Sequence, residues 1–268
     1  MQNLSVRFGD FHVGLRLPAG ADASFAADWL AAPGQPADID LDLSCDPAAG
    51  DCEPTYTRLD PEGFAFQGMR CAVHGSFAAR RGAIVLNRPP APERTGPLFA
   101  GLLATGYAQV LTRGGVLLHA ATLLHRGRAW VVMGHSGAGK TTLAERFADT
   151  YLHDEYAFLV PDAAGGWSVW RYCESRGPRE ARPWRVPLAG IAVLSADRSR
   201  TAVQPIASAD AFATVCVHAY HAGGAAAQAV FDGVLALVRD HPPRHLSHCL
   251  GQAPAAVLGA LEATRDDA

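Results

Sequence analysis

Lys140 is the single lysine in a 268-residue chain whose other basic side chains, apart from histidine, are 22 arginines. It stands in Gly134-His135-Ser136-Gly137-Ala138-Gly139-Lys140-Thr141-Thr142, a complete G-x-x-x-x-G-K-T arrangement. Glycines at that spacing let a backbone turn tightly and aim successive N–H groups into one concavity. A helix leaving the turn adds its positive end, a lysine reaches β- and γ-phosphate oxygens, and the Thr141 hydroxyl is placed for Mg²⁺. A guanidinium, wider and planar, substitutes poorly for a compact ammonium there. Fourteen residues after Lys140 come two adjacent acids, Asp154 and Glu155, and 15 residues before Gly134 stands His119. Phosphoryl transfer needs positioning and charge neutralisation above all. One carboxylate can take the proton of an attacking hydroxyl, its neighbour can hold a metal ion, and an imidazole can orient the base.

Elements must position these groups. Residues 128–133 read as a strand entering the loop and 141–148 as a helix leaving it, with Leu143 and Phe147 on one face. Two apolar runs, 116–124 and 128–133, are separated only by His125-Arg126-Gly127. So short a gap fits an antiparallel hairpin and cannot hold a parallel crossover. Residues 151–160 read as a strand carrying the acidic pair. Neighbours on a strand face opposite sides, so both acids reach one phosphate only where the strand bends or ends. Asp154 is therefore expected as the base and Glu155 as the metal-associated partner.

Further strands are expected over 64–73, 83–86, 167–172 and 186–194. In 39–43, Ile39, Leu41 and Leu43 alternate with aspartates. Helices are expected over 24–32, 96–112 (closed by Gly114-Gly115), 208–220, 225–239 and 254–263. The proline cluster at 89–92 divides a β-rich N-terminal lobe, 1–94, from a catalytic domain, 95–268.

Charged residues make up 18% of the chain and the net charge is −3, which gives no case for nucleic-acid or membrane-surface binding. No apolar run approaches the roughly 18–20 residues of a transmembrane helix, and residues 1–7 lack a signal peptide's apolar segment. The expected location is the cytoplasm. Six cysteines without a C-x-x-C pair, Cys45 and Cys52 among them, are expected as free thiols. His241, His245 and His248 have no zinc-type partners and read as a surface turn.

Together, the loop, His119 in Leu117-Leu118-His119-Ala120-Ala121, and Asp154-Glu155 make the run 115–160 resemble the C-terminal catalytic domain of bacterial HPr kinase/phosphorylase. It is similar also to the broader HPr-kinase-like serine kinases, whose fold is related to phosphoenolpyruvate carboxykinase. The resemblance implies an α/β fold: a P-loop nucleotide-binding domain of that type with mixed, partly antiparallel sheets. It implies ATP and Mg²⁺ as cofactors and a catalytic set of His119, Lys140, Asp154 and Glu155. The acceptor it implies is a serine hydroxyl on a peptide or protein, including ribosomally made peptides. A homo-oligomer enters only through that family, whose parent enzyme forms a ring.

The parent's E-I-R-G-L-G stretch is abbreviated here to Glu174-Ser175-Arg176-Gly177. Arg176 is carried over as a site residue, while HPr itself as acceptor and a reverse phosphorolysis are not. Arg171, Arg176, Arg179, Arg182 and Arg185 form either an acceptor-contacting loop or a solvated basic one. Transporter ATPases share the loop's wording, but their L-S-G-G-Q signature is missing and the acidic pair lies too close. A small-molecule kinase and a catalytically silent nucleotide-binding regulator stand as rival readings.

Overall fold

β1 (Gln2–Phe8) and β2 (Phe11–Leu17) fold back on each other around Gly9-Asp10, antiparallel from Gln2↔Leu17 to Phe8↔Phe11. β3 (Ile39–Cys45) then runs parallel to β2 and to β7 (Arg81–Leu86). Its burial alternates as the sequence predicts, with Ile39, Leu41 and Leu43 inward. β4 (Thr55–Asp60), β5 (Gly63–Gly68), β6 (Cys71–Ser76) and β7 form an antiparallel meander. The two-residue strand β16 (Gly223–Gly224) completes an eight-stranded mixed sheet in the order β1-β2-β3-β7-β6-β5-β4-β16. The computed structural model describes residues 2–18, 36–91, 95–140, 142–143, 151–153, 155–172, 183–195, 200–221, 223–247 and 254–263. The helix expected over 24–32 lies outside them.

The strand expected over 64–73 is in fact two. Met69 and Arg70, at φ 54° and 63°, turn the chain between β5 and β6. Two successive positive φ values make the turn type that favours Asn-Gly, and neither residue here signals it. Arg70→Gly should therefore stabilise the protein by about 0.5–1 kcal/mol, read as a higher urea midpoint with unchanged slope; a lower midpoint would contradict it.

α1 (Gly96–Thr112) packs on β4–β7 and forms at its expected bounds, with Gly114 N–H donating to Leu111 O at 2.9 Å where it ends. Leu98, Leu102, Val110 and Leu111 are buried; full burial of such a side chain contributes roughly 1.5–3 kcal/mol. The compact units divide after α1 rather than before it. One comprises 1–114, 172–174 and 221–230, the other 115–171, 175–220 and 231–268.

The second unit holds a nine-stranded mixed sheet. β8 (Val116–His119), β9 (Ala121–His125) and β10 (Arg128–Met133) come first. β9 and β10 form the antiparallel hairpin that their short connection predicts, Arg128 opposite His125 and Val132 opposite Ala121. β11 (Tyr151–His153), β12 (Tyr156–Pro161), β13 (Trp167–Trp170) and β14 (Arg185–Leu194) follow. β14 changes partner along its length. Its first residues pair antiparallel with β13, and from Leu188 it pairs parallel with β10. β15 (Ala202–Pro205) precedes α2 (Ser208–His218), and α3 (Ala227–Asp240) precedes β17 (Arg244–Ser247) and α4 (Pro254–Ala263). β17 lies parallel to β14 and antiparallel to β15, so His245 is on a strand and not in the expected surface turn.

Among the described residues no helix is long and apolar enough to cross a membrane. Cys45, Cys52, Cys71 and Cys216 are free thiols; Cys173 and Cys249 lie outside the described residues.

Candidate functional site

The loop begins where β10 ends. At Gly134 a Cβ would stand 3.0 Å from the Ala138 Cβ and 3.2 Å from the Leu194 Cβ, so a larger residue would push the turn off the sheet. Gly137 and Gly139 take φ 78° and 99°, values that side-chain-bearing residues rarely adopt. Ala138 N–H donates to His135 O at 3.0 Å, and Leu143 N–H donates to Gly139 O at 2.8 Å, the first helical bond beyond the turn. Leu143 anchors that start in a core cluster with Trp130, Val132, Leu246, Val257 and Leu261. Lys140, Thr142 and Leu143 are helical, while Thr141 and 144–150 lie outside the described residues.

Lys140 is 8% exposed, and its Nζ donates to the carbonyls of Gly134 at 2.6 Å and His135 at 3.3 Å. The ammonium is thus held across the turn it belongs to. Burial pulls its pKa below the usual lysine value. His135, Ser136, Gly137 and Thr142 are exposed around it.

Beside the loop two strands step from one set of partners to another at one level. The run 116–124, expected to be continuous, breaks at Ala120: β8 pairs with β12 and β9 with β11 and β10. Over the expected strand 151–160, β11 ends at His153 and β12 begins at Tyr156, with Glu155 in neither. The two breaks are joined by Ala120 N–H donating to Glu155 O at 3.3 Å, and His119 lies opposite Tyr156. Because Val132 is opposite Ala121, β10 delivers the loop next to this step.

His119 and Glu155 are both exposed at this step. Asp154 and Arg176, expected as base and as an acceptor contact, lie outside the described residues, as does Thr141. Two arginines of the expected basic loop have other work. Arg171 is buried with its guanidinium 4.3 Å from the centre of the Trp184 ring. Arg185 bonds the Asp162 carboxylate and the Ser168 hydroxyl. Neither is free for an acceptor.

One side chain at the loop carries no sequence signal. His218 ends α2, and the chain beyond it is fastened to β8: Ala219 bridges to Leu118, and Tyr220 N–H donates to Leu117 O at 2.8 Å. That puts the buried His218 ring 5.9 Å, centre to centre, from the ring of His135. Burial, with His135, Lys140 and His119 nearby, pulls its pKa down to about 4. A lone histidine 78 residues beyond Lys140, in an Ala- and Val-rich helix, gives sequence reasoning nothing to hold.

Among the described residues no group of three or more His, Cys, Asp or Glu side chains is arranged to hold a metal ion. Among the described residues, the ionisable groups near the loop include the Lys140 ammonium, the imidazoles of His119, His135 and His218, and the exposed Glu155. No family model matches the chain, and comparison with curated proteins gives no match.

Proposed function

We propose that the protein is an ATP-dependent phosphotransferase of the HPr-kinase-like type that moves a γ-phosphoryl group to a serine hydroxyl on a peptide or protein. One observation carries the reading: the chain's only lysine is buried inside a glycine turn at the end of β10, beside the strand step that bears His119 and Glu155. That arrangement supports a phosphate cradle with acid–base groups next to it. The mixed sheet, with β9 antiparallel to the strand that feeds the loop, agrees with the expected fold type and not with an all-parallel one.

The roles follow from the chemistry. Loop N–H groups and Lys140 bind and orient the polyphosphate, and Lys140 offsets charge that builds up as transfer proceeds. Asp154 takes the acceptor's proton as its oxygen bonds to the γ-phosphorus and the bond to the β-phosphate oxygen breaks, releasing ADP. His119 orients Asp154, and Arg176 contacts the transferred group. Mg²⁺ held with substrate phosphates needs only one or two protein oxygens, so the lack of a three-ligand cluster among the described residues is compatible with it. Glu155 at the step and Thr141 would supply those oxygens. The ion would neutralise phosphate charge.

The test is transfer from γ-labelled ATP to the peptide and protein products of adjacent genes, with free serine in parallel. Labelled serine in a peptide or protein is expected, and Asp154→Asn should bind nucleotide normally while losing transfer by about 10²–10⁴-fold. Full transfer by Asp154→Asn removes that residue as base. Label on free serine alone makes the protein a small-molecule kinase. Tight nucleotide binding with no transfer to any acceptor makes it a silent regulator.

A further inference from the structure

We propose that His218 forms the far wall of the phosphate cradle and binds the polyphosphate as an imidazolium, taking a proton from solvent when the nucleotide arrives. The inference rests on the reading of the loop as a nucleotide site.

The geometry is built into the fold. The backbone after α2 is fastened to β8 by the Ala219–Leu118 bridge, of which the Tyr220–Leu117 hydrogen bond is part, so the end of α2 that carries His218 is held beside β8. Tyr220 also stands edge-on to Tyr156, the residue opposite His119, at 6.4 Å between ring centres. His218 therefore faces His135 from the loop, Lys140 from the start of its helix and His119 from β8.

Each of these described groups carries or can take up positive charge, and each lowers the affinity of His218 for a proton. A buried imidazole in such company stays neutral on its own at pH 7. A polyanion reverses the balance: di- or triphosphate oxygens within reach of Lys140 place several negative charges beside His218 and favour its charged form. Neutral His218 also spares the fold a second buried cation next to Lys140, which would otherwise destabilise it. The residue is a binding and positioning group, not the base that takes the acceptor's proton.

¹⁵N-resolved spectra of the histidine rings read the protonation state directly in the wild-type protein at pH 7, with assignment through backbone connectivities. Titration with ADP and Mg²⁺ should convert the His218 ring from neutral to doubly protonated at saturation. His218→Gln should weaken ADP binding about tenfold at pH 7 and abolish that spectral change, while ring signals of the other histidines persist. A His218 ring that remains neutral with ADP saturating overturns the proposal, and so does unchanged ADP affinity in a folded His218→Gln protein. Failure of the wild-type protein to bind ADP at millimolar concentration instead overturns the nucleotide reading, and this inference with it. Should His218→Gln not fold, His218→Asn serves for the affinity comparison, and the wild-type spectra decide the question without either.

Discussion

Lys140→Ala should abolish transfer, lowering it by at least about 10²–10³-fold, the loss expected when one preorganised donor is removed from developing charge. Nucleotide binding should weaken by roughly 10- to 150-fold, since hydrogen bonds to a charged group are worth about 1.5–3 kcal/mol. Arginine should not restore either, because its fork cannot occupy the space in which Nζ meets the carbonyls of Gly134 and His135 at 2.6 and 3.3 Å. The fold should survive. The buried ammonium costs desolvation energy, which offsets the two hydrogen bonds lost with it, so thermal melting by circular dichroism should move little. The chain's composition supplies an internal control. With one lysine in 268 residues, an acyl-phosphate nucleotide probe should label a single side chain, and ATP should protect it. Undiminished transfer by Lys140→Ala, or labelling that ATP does not block, would remove the loop from the mechanism.

What the sequence made legible was local. The glycine turn, the alternation in β3, the bounds of α1 and the tight β9–β10 hairpin each follow from a few neighbouring residues. The β1–β2 hairpin had a signal too, Gly9-Asp10 between alternating apolar runs. The steps at Ala120, between β11 and β12, and within β14 were of another kind. Leu117, Leu118, Ala120 and Ala121 are all buried, as are Ala157 to Val160, so no period-2 pattern marks where one strand ends and the next begins. Strand pairing decides it, through contacts between residues 28 or more apart in sequence. That is also why His218 was missed: its place at the loop depends on Ala219 meeting Leu118 across 101 residues. Chemistry concentrated in one motif could be read from the chain. Chemistry assembled by the sheet could not.

Acidification from pH 7.5 to 4.5 should cost the protein folding stability, on the order of 5 kcal/mol from two buried histidines, with His12 and His241, whose pKa values burial also lowers, adding in the same direction. His153 is fully buried on β11, and burial, with Arg171 adding to the effect, pulls its pKa down to about 3 against the opposing hydrogen bond to the Trp170 backbone. His218 is pulled down to about 4. In the unfolded chain both protonate near pH 6.5. Above that value neither state carries the protons and stability is full. As pH falls below it the unfolded state gains protons that the folded state refuses, so stability declines until the folded pKa values, near 4 and 3, are passed. At pH 4.5 each residue should account for about 2–3 kcal/mol. Asp60 and Asp240 are held below the ordinary aspartate value, chiefly by hydrogen bonds from Arg58 and Arg239, and so titrate outside this window. Urea unfolding at pH 7.5, 6.0 and 4.5 reads the effect, and His218→Gln should make the decline shallower by about 2–3 kcal/mol at pH 4.5 whatever its stability at pH 7.5. A flat profile in the wild-type protein between pH 7.5 and 4.5 would mean that these rings take up protons while folded, and would overturn the effect ascribed to their burial.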